Sequence, residues 1–162
     1  MVARVILPDW KYNDSLVAKF INKIMWDGEK TVAEKIVYSA LKLLQENKKL
    51  ATDADLINMF HFIINDVRPL VKIKSRRIGG ATYQTPEELN IKASRNYAMM
   101  WIREGMRKRR TNTTSSESLF AEFKDILEGT GHAKRKQDET NKAALANQAF
   151  AHLLKKKKQE NS

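Results

Sequence analysis

The chain of 162 residues contains no cysteine. Disulfide-stapled scaffolds, thiolate zinc sites and cysteine nucleophiles are therefore excluded. No apolar run approaches the roughly 20 residues that a membrane-spanning helix needs. The first residues lack both the long apolar stretch of a secretory signal and the Arg/Ser-rich character of a transit peptide. We therefore expect the protein to work in a bacterial cytoplasm or an organelle matrix.

Acidic residues are scarce relative to basic ones. The chain has 30 Lys and Arg against 19 Asp and Glu, which gives a net charge of +11. Residues 71–110 alone carry 11 basic and 3 acidic side chains, a net charge of +8. A concentrated basic segment indicates a polyanionic partner, either nucleic acid or an anionic membrane. The hydrophobic fraction of 42% is high enough for a folded core.

Apolar residues recur at spacings of three and four in six segments, which predicts six helices. Their predicted bounds are about 14–28, 31–45, 52–68, 90–110, 116–128 and 136–154. Gly28 is expected to end the first helix as a left-handed cap. Thr31 and Glu34 have the spacing of a capping box at the start of the second helix. Ser116 is expected to cap the fifth helix.

The spacing changes after residue 70. Apolar and basic residues alternate over residues 70–76, Gly79-Gly80 follows, and a second short apolar segment runs to Pro86. This pattern predicts a β-hairpin at about 70–86. The predicted fold is mainly α, a single six-helix domain over residues 1–154 with one protruding hairpin between helices three and four. Residues 155–162 are expected to form a basic, flexible C-terminal tail.

No motif indicates catalysis. The three histidines, at positions 61, 132 and 152, are scattered and have no zinc-ligand spacing. A G-x-S-x-G nucleophile motif is absent. Gly79-Gly80 lacks the spacing of a phosphate-binding loop and fits a hairpin turn better. We therefore expect no enzyme, no cofactor and no metal.

The predicted hairpin places Lys72, Lys74 and Arg76 on one face, with Arg77 near the tip and almost no acid nearby in the sequence. A charged strand face is often merely solvated, and edge strands use lysine against aggregation. The concentration of like charge nevertheless favours contact with nucleic acid. Tyr83 on the second strand offers an aromatic face for a base or a sugar.

Four consecutive cations, Arg107 to Arg110, end the fourth helix. A favourable interaction with the helix dipole needs fewer charges, so phosphate contact is favoured. RNA is preferred to B-DNA because no predicted helix pair has a basic recognition helix. Two alternatives remain open: a repressor-like protein that binds its own messenger or duplex DNA, and a helical adaptor that binds only proteins.

Residues 73–86, IKSRRIGGATYQTP, resemble the hairpin of small-subunit ribosomal protein seven, which reads close to V-R-S-R-R-V-G-G-A-T-Y-Q-V-P. Residues 16–25 and 27–38 resemble the opening helices of that family, and residues 67–71 resemble its lead into the hairpin. Trp101, residues 107–109 and residues 146–152, ANQAFAH, resemble its later helices. The resemblance spans about residues 5–152 in the right order.

The resemblance implies a helical domain with a protruding hairpin that binds the 3′ major domain of small-subunit ribosomal RNA, which forms the head. It implies a role in head assembly and a place near the exit-site tRNA and the messenger path. Small-subunit ribosomal protein eleven and other head proteins would be neighbours, with no membrane partner. The RNA contacts implied by the family pattern are Lys30, Lys35, Arg76, Arg77, Arg107, Lys108 and Arg109. The candidate RNA-binding set also includes Lys72, Lys74, Tyr83, Arg103, Arg110, Lys134, Arg135 and Lys136.

Several cations usual in the family are missing here. Only Arg4 and Lys11 precede the first helix, where the family has a basic arm. Glu29 and Met100 stand where the family usually has basic residues. These losses suggest a divergent lineage. They slightly favour an organelle ribosome, in particular a mitochondrial one, over a bacterial one.

Overall fold

The computed structural model describes residues 4–109 and 112–148, apart from the side chain of Ile78. Within these residues it has six helices and one two-stranded antiparallel sheet between the third and fourth helices, which confirms the predicted fold class. The elements in chain order are α1 Ser15–Ile24, α2 Lys30–Lys48, α3 Asp53–Val67, β1 Val71–Ile78, β2 Ala81–Glu88, α4 Ile91–Lys108, α5 Ser115–Leu127 and α6 His132–Ala146. The predicted end of the last helix and the tail at 155–162 lie outside the described residues.

Side-chain caps fix the start of four helices. The Asp14 carboxylate accepts the Val17 N–H at 2.9 Å and opens α1. Thr52 opens α3 and Asn90 opens α4 in the same manner. At α5 the cap is Thr114, two residues before the predicted Ser116, and it forms a capping box with Glu117. Each such cap satisfies backbone donors that have no partner within the helix.

The predicted connection between α1 and α2 is wrong in detail. The first helix ends at Ile24, and Asp27 and Gly28, with φ of +54° and +74°, form a separate turn. The predicted capping box is absent because α2 already begins at Lys30, so Thr31 lies inside its first turn. Two consecutive residues in the left-handed conformation, Asp27 and Gly28, make a tight turn, so α2 can begin only two residues later, at Lys30.

Two other helix bounds also differ from the prediction. α2 continues past Gln45 to Lys48 and is closed by Lys49 in the left-handed conformation, φ +52°. The Lys49 N–H donates to the carbonyls of Gln45 and Glu46 in the last turn. This closure keeps the polar residues 46–48 within the helix. α6 begins at His132 rather than at 136, directly after Gly131.

Three phenylalanines from three helices meet at the centre of the core. Phe20 of α1, Phe60 of α3 and Phe123 of α5 are completely buried. Their ring centroids lie 5.4 Å, 5.9 Å and 6.1 Å apart, in tilted and edge-on arrangements that aromatic pairs favour. The same apolar stripes that predict the helices therefore form one continuous core.

The segment before α1 is fixed to α2 through Asp9. Its buried carboxylate accepts the N–H groups of Tyr12 and Asp14 at 2.9 Å and 3.0 Å, and the Tyr38 hydroxyl donates to it at 3.1 Å. The rings of Trp10 and Tyr12 pack edge-on against Tyr38. Burial and the nearby Asp9 charge raise the pKa of Tyr38 above its ordinary value.

Candidate nucleic-acid interface

The hairpin places its predicted cations on one face. In the antiparallel register, Lys72, Lys74 and Arg76 lie opposite Glu87, Thr85 and Tyr83. Side chains alternate along a strand, so these three pairs share one side of the sheet. Gly79 and Gly80 form the two-residue turn with φ of +58° and +84°, the left-handed pair that a tight hairpin turn requires.

The second strand is longer than predicted. It passes through Pro86 and ends at Glu88, with Pro86 opposite Ile73. A two-stranded sheet leaves one edge of each strand without a partner, so proline is tolerated there. The extension brings Glu87 into the basic face.

The basic face is not free of acid, contrary to the impression from the local sequence. The Nζ atom of Lys74 lies 3.9 Å from Oε2 of Glu87. Both side chains are more than a third exposed, so the pair is a weak surface interaction. Lys72 and Arg76 of this face are partly exposed, and Arg77, which follows Arg76 and so lies on the opposite side of the sheet, is exposed. Most of the positive charge of the hairpin therefore stays accessible.

The tip of the hairpin is more exposed than the middle of its strands. Thr85 near the base is buried, and its hydroxyl donates to the Lys74 carbonyl at 3.2 Å. The turn residues Gly79 and Gly80 are exposed, as is Arg77. The hairpin therefore projects its cationic end into solvent.

Helix α6 and helix α4 hold the entry to the hairpin. The Gln137 side-chain amide donates to the carbonyls of Asp66 and Arg68 at 2.8 Å and 3.2 Å. Arg68 donates from its guanidinium to the Ser94 hydroxyl at 3.2 Å. These contacts fix the short connection between α3 and β1, so the direction of the hairpin is set by the helical body.

Arg109 at the end of α4 is turned toward the protein. Its Nε donates to Oε2 of the buried Glu122 at 3.1 Å, and its Nη2 donates to Asp125. Partial burial acts to lower the pKa of Arg109, but the hydrogen bond to Asp125 and the charges of the two carboxylates outweigh it and raise the pKa. Arg109 thus joins α4 to α5. Its predicted neighbour Arg110 lies outside the described residues.

Lys108 meets two candidate cations of α6. A pocket of about 140 Å³ is lined by Lys108, Arg135, Lys136, His132 and Glu139. The Lys108 Nζ lies 3.5 Å from Nδ1 of His132, and Nε2 of the same ring lies 3.2 Å from Glu104. An ammonium group can only donate, so Nδ1 accepts and Nε2 holds the proton that points at the carboxylate. Residues from two helices therefore form a second cationic site.

Two further candidates make internal contacts. The Lys134 Nζ lies 2.7 Å from Oδ2 of Asp66 on α3. The Arg103 guanidinium donates to the Lys23 carbonyl at 3.1 Å, which joins α4 to α1. Both cations hold helices together in this structure.

The remaining candidates lie at the start of α2 and beside it. Lys30 and Lys35 are exposed in its first two turns. Arg107 of α4 lies over the indole ring of Trp26, with Cζ 4.7 Å from the ring centroid. The α1–α2 loop and the end of α4, which are about 80 positions apart in sequence, thus form one surface.

Sequence reasoning missed a basic groove between α1 and the start of α4. Its volume is about 490 Å³, and its basic lining residues are Lys19, Lys23, Lys92 and Arg95. Its apolar floor includes Leu16 and Met99. The two lysines of α1 and the two cations of α4 are unremarkable separately, and only the packing of the two helices brings them together.

The described residues contain neither a membrane-spanning helix nor a cluster of metal ligands. No helix within 4–109 and 112–148 is long and apolar enough to cross a membrane. Across the same ranges, no three His, Cys, Asp or Glu side chains come together as a metal site would require. His61 instead contacts the carboxylate of Asp14, with Nε2 2.7 Å from Oδ2.

Comparison with known proteins matches nearly the whole chain to a family of ribosomal proteins. The model of the family described as Ribosomal protein S7p/S5e matches residues 1–148. The small ribosomal subunit protein uS7 of Acidithiobacillus ferrooxidans is 46% identical over 150 residues, 93% of each chain. The uS7 proteins of Novosphingobium aromaticivorans and Nitratiruptor sp. are 43% and 44% identical over 149 residues, with coverage of 92% of this chain and 92% and 93% of their own.

These three relatives come from bacteria, so the comparisons give no support to the expected preference for a mitochondrial ribosome. The similarity covers nearly the whole of each protein, and the matched residues include every described helix and the hairpin. The chain belongs to the ribosomal protein S7p/S5e family.

Proposed function

We propose that the chain is a structural protein of the small ribosomal subunit in a bacterial cytoplasm. Membership of a family of structural ribosomal proteins supports this function and confirms the expectation that the chain is not an enzyme. The bacterial relatives support the compartment. Within the subunit, the ligand that we propose is the 3′ major domain of small-subunit ribosomal RNA, which forms the head.

The observation that supports RNA binding most strongly is the anchored basic hairpin. Lys72, Lys74 and Arg76 share one face with Tyr83, and Arg77 lies at the exposed end. Gln137 and Arg68 fix the base of this hairpin on α4 and α6. A charged arm with a fixed direction suits a folded RNA, which proteins recognise by shape and phosphate positions.

The proposed mechanism is electrostatic clamping. Lysine and arginine side chains neutralise phosphates and release condensed counterions, which supplies affinity without sequence recognition. The fixed hairpin then determines the orientation of the protein on the RNA. Tyr83, directly opposite Arg76, adds an aromatic surface on which a base or ribose can pack.

We assign the other candidate cations to two classes. Lys30, Lys35, Lys108, Arg135 and Lys136 are exposed or line an open pocket, and we propose that they contact phosphates. Arg103, Arg109 and Lys134 make contacts between helices within the protein. We propose that they position the helices that carry the phosphate-binding cations. Arg107 combines both features, since it packs on Trp26 at the surface.

The proposed neighbours are the exit-site tRNA, the messenger and small-subunit ribosomal protein eleven with other head proteins. The family resemblance supports this placement. Crosslinking in intact subunits, followed by identification of the crosslinked RNA and protein, tests it. Crosslinks from the hairpin to RNA outside the head domain would contradict the proposed location.

Sedimentation of a lysate through sucrose gradients at moderate and high salt tests the proposed function itself. We expect the protein to migrate with small subunits and to remain there after high-salt washing. Loss into the free pool at moderate salt would contradict a structural role. Tight binding to its own messenger or to one duplex DNA site, or protein binding that salt does not affect, would then favour the alternative functions.

A further inference from the structure

Trp26 in the loop between α1 and α2 is unusually exposed for a tryptophan. Its side chain is 65% exposed, although one face of the ring is covered by Arg107 at 4.7 Å. The loop that carries it is tightly turned, since the Glu29 N–H donates to the Trp26 carbonyl at 3.1 Å and Asp27 and Gly28 are left-handed. The indole is therefore held in a defined orientation with much of its surface open to solvent.

A pocket of about 470 Å³ lies beside this indole. Its volume falls within the range of about 300–1,000 Å³ that is typical of ligand pockets. Its walls include Val32, Ile36 and Met106, which are apolar. Glu29 and Arg107 also line the pocket, so a few polar groups accompany the apolar surface, as in sites for flat organic ligands.

The positive charge around the pocket favours a flat ligand that carries a negatively charged group. Arg107 is cationic, the exposed Lys30 begins α2, and the N-terminus of a helix favours negative charge. A flat ring attached to a phosphate satisfies all of these groups, whereas an aromatic side chain of a protein satisfies only the apolar ones. Aromatic stacking and arginine contacts are the usual means of holding an unstacked base.

We propose that Trp26, Arg107 and Glu29 form a pocket for one unstacked nucleobase of the bound RNA, a proposal that rests on the proposed function. The base stacks on the open surface of Trp26, and Arg107 contacts the adjoining phosphate. The carboxylate of Glu29 can only accept hydrogen bonds when ionised. It therefore favours a base with an amino group over uracil, whose single donor, N3–H, lies between two carbonyl oxygens that repel a carboxylate.

Fluorescence and affinity measurements with a transcript of the 3′ major domain test the stacking. Trp26→Ala should weaken binding about 5- to 150-fold, the range for loss of one stacked base, and leave the salt slope unchanged because no phosphate contact is lost. Trp26→Phe should retain most of the affinity. Trp10→Ala is the matched control, since Trp10 is 76% exposed but does not line the pocket.

Quenching of indole emission by the transcript should disappear in Trp26→Phe and persist in Trp10→Phe. Quenching that persists without Trp26, or unchanged affinity of Trp26→Ala, would contradict the proposal that this pocket binds a nucleobase. If Arg76→Ala/Arg77→Ala still weakens binding in that case, the proposed function survives. If neither variant affects binding, both proposals fail.

Two pyrimidine oligonucleotides, C10 and U10, test the role of Glu29. They have the same backbone and ring size, but cytosine has an amino donor where uracil has a carbonyl. We expect tighter binding of C10 and loss of this preference in Glu29→Gln, whose amide can both donate and accept. Equal binding of the two oligonucleotides by the unmodified protein would overturn the assignment of Glu29.

Discussion

Gly105 of α4 lies directly against the carboxyl group of Glu122 in α5. A Cβ atom at position 105 would lie 2.6 Å from Cδ of Glu122 and 2.7 Å and 2.8 Å from its oxygens. The same buried carboxylate accepts hydrogen bonds from Arg109 Nε and from the Ala133 N–H at 3.0 Å. The absence of a side chain at Gly105 therefore allows one carboxylate to connect α4, α5 and α6.

Gly105→Ala should destabilise the protein by about 1–3 kcal/mol, the usual cost of forcing extra volume into a packed site. The carboxylate cannot move aside easily because two donors hold it. Urea unfolding followed by circular dichroism measures the change. In an open helical position the same substitution would stabilise by about 1 kcal/mol, so a gain in stability would contradict the close contact.

Glu122→Gln should also be destabilising although it changes the volume little. An amide offers one acceptor in place of two carboxylate oxygens, so the Ala133 N–H or Arg109 Nε loses its partner. A buried donor without a partner costs about 1–3 kcal/mol. Unfolding in urea measures the loss, and Glu117→Gln at the exposed start of α5 is the matched control, since an amide oxygen can still accept the cap bond.

Features encoded within a few neighbouring residues could be predicted from the sequence. Asp14 and Thr52 act as helix caps, which are residue types that favour this position, and the alternation of apolar and basic residues before Gly79-Gly80 predicts the hairpin. The capping box predicted at Thr31 does not form, because α2 starts at Lys30, with Glu29 as its N-cap residue, directly after the Asp27-Gly28 turn. Local patterns alone cannot rank such close alternatives.

Features that depend on packing between distant segments could not be predicted. The cations at 107–110 form a uniform run in the sequence, but Arg109 faces inward because Glu122 and Asp125 reach it from another helix. Glu87 likewise enters the basic face only through cross-strand pairing with Lys72. The direction of each charged side chain follows from its neighbours in space.

Tyr12 and Tyr38 should make the protein less stable in alkaline solution. Burial, and then nearby carboxylates, raise the pKa of both phenols in the folded state. Because their pKa is raised, the two phenols stay protonated to a higher pH in the folded state than in the unfolded state. Their contribution to the free energy of unfolding is therefore complete below the unfolded pKa of about 10 and is lost as the pH rises above it.

Tyr38→Phe removes one of these titrating groups and separates its effect from that of the lysines. It should lower stability near pH 7 by about 1 kcal/mol through loss of the hydrogen bond to Asp9. It should also lose less stability than the unmodified protein between pH 9 and about pH 11, around the ordinary tyrosine pKa. Parallel alkaline slopes for the two proteins, measured by urea unfolding, would contradict the role of Tyr38.

Arg76→Ala/Arg77→Ala should weaken binding to a transcript of the 3′ major domain and flatten its salt dependence. Each phosphate contact contributes about 0.7 to 0.9 to the slope of log affinity against log salt concentration, so loss of two contacts should lower the slope by about 1.5. Filter binding at several salt concentrations measures it.

The matched control for the hairpin variant removes the same charge elsewhere. Lys42 and Lys124 are exposed on α2 and α5 and lie outside the candidate set. Lys42→Ala/Lys124→Ala lowers the net charge equally, so a general electrostatic effect would change both variants alike, whereas a direct contact changes only the hairpin variant. If the two double variants have equal slopes of log affinity against log salt concentration, the hairpin does not contact the RNA directly, even if both variants bind more weakly than the unmodified protein.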